Sequence, residues 1–325
     1  MQQVLVLTFP FFALVLCGFG AARSRLMPVS AIPGLNIFVL YFALPAMLFR
    51  FAAGMPIERM LDGTNFIVYL VAALAMVVVT VATTLRGAIG WNDASFGALV
   101  AAFPNTGFMG MPLLSAMLGA AVLAPVVSAL TVDFVLTTSL CIALSRIKSG
   151  SGKDAWAGVS AALRGVFANP LPWAILGGGS VSWGGVELYT PIFKIVDMLA
   201  DAGSPAALFT IGAVIARSQF QAAEAGKKSA GLQDVPLVVA IKLVVHPVLV
   251  VLCGKLAIMA GAPLDNASLT TLALLAALPS ATSVTMLSER YGADSGRIAR
   301  VVMLSTALAF LSFSATAAFL IQGQG

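Results

Sequence analysis

Four ionisable side chains lie deep inside apolar stretches of this sequence: Asp133, Asp201, Lys242 and His246. A charge in the middle of a bilayer costs at least about 2.5–3.5 kcal/mol, so an acid or base kept there has a task or a partner. Asp133 and His246 fall at similar depth in their stretches, and an Asp–His pair could bind and release a proton near neutral pH. The alternative is a protonated Asp133 hydrogen-bonded to a Ser or Thr of a neighbouring helix, with His246 packed beside Pro247. Lys242 is shallower and can reach a helix C-terminus or water. Asp201 precedes Pro205, where it either caps a broken helix or shapes a site. Arg50 and Lys255, near the ends of their stretches, can snorkel to the interface and receive no role.

Two prolines mark a second kind of chemistry. Phe103-Pro104-Asn105-Thr106-Gly107 and Leu278-Pro279-Ser280-Ala281-Thr282-Ser283 each interrupt an apolar stretch near its middle. Proline removes a backbone donor and clashes one turn back. A break at membrane depth survives only where it is buried in protein or lines a cavity. The half-helix that restarts after each break offers free N–H groups and a positive dipole end, which favours an anion such as a carboxylate. Asn105, Thr106, Ser280, Thr282 and Ser283 add neutral donors, and neither break carries a Lys or Arg. The competing account is a pair of simple kinks whose hydroxyls pack helices.

The elements that must hold these residues follow from composition. Of 325 residues, 60% are hydrophobic and 10% charged, and mean hydropathy is +1.00. Soluble domains carry about 25% charged residues, so this is a polytopic membrane protein. Cys17, Cys141 and Cys253 are odd in number, lie in apolar runs and fit no metal spacing. A single histidine excludes multi-histidine zinc chemistry, and no hydrolase or metalloprotease motif is present. No enzyme, cofactor or metal is therefore expected, and the net charge of +5 reflects membrane topology rather than nucleic-acid binding.

Ten apolar spans are expected, at about 4–22, 34–53, 66–85, 94–118, 122–145, 168–185, 191–216, 235–260, 268–288 and 298–321. The connection after span 5 can carry a short surface helix around 153–164. Thirteen of the 18 Lys and Arg fall in loops on one side, among them Arg23, Arg86, Lys148 and Arg297, and only Arg59 in a loop on the other. The basic side is cytoplasmic by the positive-inside rule, so both termini lie outside. Span 1 has no basic residue before it and reads as an uncleaved span.

The chain also resembles itself. Pro45-Ala46-Met47-Leu48-Phe49 recurs as Pro205-Ala206-Ala207-Leu208-Phe209, and Ala101-Ala102-Phe103-Pro104 as Ala276-Ala277-Leu278-Pro279. Spans 1–5 and 6–10 thus read as two copies, and five being odd, they insert with opposite topology. The expected organisation is a first five-helix repeat over 1–146, a short cytoplasmic connection over 147–167 and a second repeat over 168–325. The fold class is an all-α membrane protein of ten transmembrane helices, built as two inverted five-helix repeats with crossing broken helices 4 and 9.

The run from Phe103 to Leu114, with Pro104-Asn105-Thr106 and Met109-Gly110-Met111-Pro112-Leu113-Leu114, resembles the PNT…MG-x-PLL segment of the auxin efflux carrier family, which includes the plant PIN proteins. Further likenesses follow in order: Leu35-Asn36-Ile37-Phe38-Val39 with Phe42-Ala43-Leu44-Pro45, Asn169-Pro170, Asp201-Ala202-Gly203 with Ala207-Leu208-Phe209-Thr210-Ile211-Gly212, and Ala276-Ala277-Leu278-Pro279 with Tyr291-Gly292. The resemblance implies a transporter in which helices 1, 2, 6 and 7 form a scaffold and the rest a mobile core. Substrate carboxylate would bind at the crossing, with Asn105 matching the family's asparagine there. The loop after span 5 is short here, unlike that of the long-distance PIN proteins, and Ser280-Ala281 departs from their pattern after the second proline. Bacterial members are associated with malonate, malate and similar acids.

The expected activity is secondary transport of a small organic carboxylate, a dicarboxylate or auxin-like acid, across the cell (inner) membrane by alternating access. The crossing residues Pro104, Asn105, Thr106, Pro279, Ser280, Thr282 and Ser283, with Asn36 and Tyr41 of span 2, are expected to bind substrate. Asp133, Asp201, His246 and Lys242 are expected to couple or shape the site. Two alternatives on the same architecture are a sodium-coupled bile-acid-type symporter and a cation/proton antiporter. The partners are the carboxylate and the bilayer, with proton coupling and a homodimer both compatible with the sequence.

Overall fold

In a computed structural model the chain is described over residues 2–54, 62–86, 89–146, 170–186, 189–224 and 234–322. Regular structure among these residues is helical, in chain order α1 (Gln2–Arg23), α2 (Val29–Ala53), α3 (Gly63–Thr84), α4 (Trp91–Ala102), α5 (Thr106–Leu118), α6 (Leu123–Ser145), α7 (Pro170–Trp183), α8 (Thr190–Glu224), α9 (Val235–Met259), α10 (Asn266–Ala277), α11 (Ser283–Arg290) and α12 (Ser295–Gln322). Among the described residues six helices are long and apolar enough to cross a bilayer unaided: α2, α3, α6, α8, α9 and α12. The helices that begin or end at the breaks, α4, α5, α10 and α11, are shorter. The surface helix expected around 153–164 lies outside the described residues.

Local chemistry sets many of the ends. Asp62 caps α3, its carboxylate accepting from the Thr64 and Asn65 amides at 2.8 and 3.2 Å, and Asp265 caps α10 through the Ser268 amide at 2.7 Å. Such caps satisfy N–H groups that a helix start leaves free. The breaks after α4 and α10 begin where the sequence places them. Phe103 and Leu278, each followed by proline, are both extended, as expected for the residue before a proline.

Pro205 behaves differently. The sequence suggests a break there, but α8 runs unbroken through it. Pro205 is followed by Ala206-Ala207-Leu208, all good helix formers, so the helix simply resumes. Pro104 and Pro279 are followed by Asn, Thr, Ser or Gly, and their freed backbone groups find partners on each other. Span 2 is likewise continuous, with a π-turn at Val39–Ala43 ahead of Pro45. Further π-turns lie at Thr106–Gly110, Val132–Thr137 and Ile241–Val245.

Glycines let two helix pairs close to backbone contact. A side chain at Gly18 of α1 would strike the Phe209 carbonyl of α8, and one at Gly178 of α7 would strike the Phe49 carbonyl of α2. Gly18 and Gly178 stand 160 residues apart, as do Phe49 and Phe209, so the two contacts are counterparts. Gly212 of α8 makes the reciprocal approach to the Val15 carbonyl of α1.

Candidate functional site

The two breaks meet. Pro104 and Ser280 form an isolated antiparallel β-bridge. The Asn105 amide donates to the Pro279 carbonyl at 2.8 Å, and the Ala281 amide donates to the Phe103 carbonyl at 3.0 Å. Each break thus supplies the hydrogen bonds that proline and helix termination took from the other, where lipid could supply none. The Ser280 amide donates to the Ser305 hydroxyl of α12 at 3.2 Å.

Around this bridge the structure collects most of the expected site residues. Asn105, Thr106 and Ser280 are buried, while Thr282 and Ser283 are half-buried. The hydroxyls of Thr106 and Ser280 are buried without a hydrogen-bond partner. A buried polar group left unpaired costs roughly 1–3 kcal/mol, so these two atoms mark a place where a polar ligand or water belongs. α5 begins at Thr106 and α11 at Ser283, so both restarting helices open beside the bridge. Gly110 explains how α5 lies so near: an added side chain would meet Leu278 and Leu275 at 2.7 and 2.9 Å. Phe103 packs edge-on against Phe134 of α6, with ring centres 4.9 Å apart.

Next to the crossing is a buried polar cluster. Asp133 accepts a hydrogen bond from the Tyr69 hydroxyl at 3.1 Å. Lys242 Nζ lies 2.9 Å from His246 Nδ1 and donates to the Ala276 carbonyl at 3.2 Å, in the last turn of α10 before its break. The His246 ring centre is 6.0 Å from that of Tyr69. Tyr69, Asp133, Lys242 and His246 are all fully buried. Asp133 and His246 are not bonded to one another; tyrosine, not Ser or Thr, holds the acid, and His246 is bonded to Lys242 rather than merely packed. Lys242 does reach a helix C-terminus. Tyr69 went unnoticed, although a phenol within an apolar span needs a partner for its hydroxyl.

The remaining candidates lie apart. Asp201, inside the continuous α8, caps nothing: it accepts a bond from Arg50 of α2 at 2.7 Å, with Asp197 at 3.5 Å from the same nitrogen. Arg50, expected only to snorkel, is the partner that the sequence left unassigned. Asn36 is half-buried and Tyr41 is exposed in the π-turn of α2, and among the described residues no hydrogen bond joins either to the crossing.

A third polar group ties together the starts of α4, α9 and α12. Arg297 is buried, donates to both oxygens of Asp234 through Nε at 3.0 Å, pairs with the same carboxylate through Nη2, and donates to the Asp93 carbonyl at 2.7 Å. The Asp294 amide in turn donates to Asp93 Oδ1 at 2.8 Å.

A family model described as a membrane transport protein matches residues 3–316. A protein of Rhizobium meliloti (strain 1021) named "Putative malonate transporter" is 28% identical over 320 residues, covering 95% of this chain and 93% of the relative. A protein of Escherichia coli (strain K12) named "Uncharacterized transporter YfdV" is 24% identical over 317 residues, with the same coverage of each.

Proposed function

The chain belongs to the membrane transport protein family, that of the auxin efflux carriers, and from this premise we propose that it is a secondary carrier for a small organic carboxylate. The observation that carries the reading is the bridge between the two breaks, with the Thr106 and Ser280 hydroxyls buried and unpaired beside two helix starts. Such a place suits an anion: backbone N–H groups and hydroxyls donate, the dipole ends favour negative charge, and neither break itself carries a Lys or Arg to hold the ligand too tightly to leave. Asn105, Thr106, Ser280, Thr282 and Ser283 supply the donors, and the backbone at Pro104 and Pro279 shapes the crossing. The relative named for malonate points to a dicarboxylate.

The proposed architecture is ten crossings of the cell (inner) membrane in two inverted halves, 1–146 and 168–325, joined by the connection 147–167, with both termini outside. The counterpart contacts Gly18–Phe209 and Gly178–Phe49 support the repeat. Alternating access would move one group of helices against another. The cross-helix ion pairs and hydrogen bonds named above support that division. They fall within α1, α2, α7 and α8, or within α3–α6 and α9–α12.

Counterflow in proteoliposomes tests the reading. Labelled malonate is expected to exchange against internal malonate, malate and succinate, at two pH values and with or without Na⁺. Absence of exchange for every carboxylate, with a folded protein, would sink it. Sodium dependence of exchange would favour the sodium-symporter alternative, and cation-for-proton exchange without carboxylate would favour the antiporter.

A further inference from the structure

We infer that the Lys242–His246 pair is the proton site of this carrier, and that its proton sets the position of the second broken helix, so that one proton accompanies each substrate molecule. The inference rests on the reading of the crossing as a carboxylate site.

The geometry carries it in three steps. The first concerns the contact itself. For Lys242 Nζ to donate to His246 Nδ1 at 2.9 Å, Nδ1 must be bare, which places the imidazole proton on Nε2. That nitrogen is buried without a partner. A second proton on the ring would sit on Nδ1, facing the ammonium. Two like charges at that distance, away from water, repel strongly, so the contact must open.

The second step follows the ammonium. Its other bond is to the Ala276 carbonyl, two residues before Leu278, where α10 gives way to the break. Lys242 is therefore a positioning residue: when His246 takes a proton, the group that holds the end of α10 moves. Asp133 belongs to the same cluster and is one residue from Phe134, which packs on Phe103. The Asp133 side chain keeps one oxygen bonded to Tyr69 and one oxygen unpaired, so a displaced Lys242 has an acceptor to move toward. The groups facing the pair are Tyr69 from α3, Asp133 from α6 and the Ala276 carbonyl from α10; no other charged side chain is bonded to it among the described residues.

The third step is charge. Asp133, Lys242 and His246 are buried together beside the crossing, so a proton added to the cluster raises its charge by one whatever its resting ionisation. That added positive charge lies where a carboxylate brings a negative one. Binding of either favours the other, and by linkage the preference is reciprocal. The proton enters with the substrate and leaves with it, and no other co-reactant is needed. An independent feature marks both charged residues: Asp133 and Lys242 each sit in a π-turn, a rare widening of the helix found mostly at functional sites.

The test uses the full chain in proteoliposomes with labelled malonate. His246→Asn puts an amide oxygen where Nδ1 accepts from Lys242 but cannot take a proton. Accumulation driven by a pH gradient is expected to be lost, and the malonate exchange that remains to lose its dependence on pH. Accumulation retained by His246→Asn overturns the inference. A second measurement stands even if that variant fails to fold. Malonate affinity of the unsubstituted protein is expected to rise about tenfold from pH 8 to pH 7, the change for one linked proton. A flat profile overturns the inference while leaving the carboxylate site intact, whereas no malonate exchange at all overturns the site first.

Discussion

Asn105 is the residue on which the proposed carboxylate site depends most directly. It is buried at the start of the π-turn that opens α5, its backbone amide donates to the Pro279 carbonyl, and the neighbouring Thr106 hydroxyl is unpaired. Asn105→Ala removes a donor where little water can replace it. A hydrogen bond to a charged group contributes about 1.5–3 kcal/mol, so malonate affinity is expected to fall by roughly tenfold or more. Equilibrium binding to the purified variant checks this, and unchanged affinity with normal folding would move the site away from the crossing. The crossing residues were legible in the sequence because proline followed by Asn, Thr or Ser has few uses inside an apolar span. Their neighbours were less so. Tyr69 and Asp133 are 64 residues apart in sequence, and Arg50 and Asp201 are 151 apart. Nothing local announces such pairs; they exist only once the helices have packed.

At the scale of the helices, close approach matters as much as hydrogen bonding. α1 and α8 touch at two reciprocal points, Gly18 on Phe209 and Gly212 on Val15. Without a hydrophobic drive between helices in lipid, such contacts depend on small residues that let backbones meet. Gly212→Val is expected to force the pair apart and cost about 1–3 kcal/mol, as overpacking does. Gly20→Val, on the same α1 but facing open space, is expected to be silent, and thermal melts of the two in detergent give the comparison. The Arg297 group is a second joint of this kind. Arg297→Ala leaves the Asp234 carboxylate buried and unpaired, which costs about 3–5 kcal/mol. The double variant Arg297→Ala/Asp234→Ala is expected to recover part of that loss, and its melting temperature decides. Helix existence was readable from the apolar runs, and the breaks from their polar followers. The continuity of α8 through Pro205 was not, because a proline shows the strain and not how the neighbouring helices absorb it.

At the scale of the molecule, the named polar contacts divide the helices into two sets. α4, α9 and α12 are fastened by Arg297, Asp234 and Asp93; α4 and α10 by the bridge; α3 and α6 by Tyr69 and Asp133; α9 and α10 by Lys242. α2 and α8 are fastened by Arg50 and Asp201. Between these two sets the named contacts are weak: the rings of Phe12 in α1 and Phe310 in α12 meet edge-on at 5.1 Å, and Gln219 of α8 lies 3.2 Å from the sulfur of Met303. Sliding along that boundary is cheap because, among the contacts named, only the weak Gln219–Met303 hydrogen bond has to be exchanged. If transport moves one set past the other, a link across that boundary must stop it. With Cys17, Cys141 and Cys253 replaced by alanine, Phe12→Cys/Phe310→Cys treated with a short bifunctional thiol reagent is expected to lose malonate exchange and regain it when a cleavable linker is cut. Phe96→Cys/Tyr291→Cys, whose rings lie 6.0 Å apart within the second set, is expected to tolerate the same link. Exchange that continues with Phe12 and Phe310 positions fully linked would mean that the moving boundary runs elsewhere. Exchange that stops with either link would mean that the second set flexes internally rather than travelling as one body.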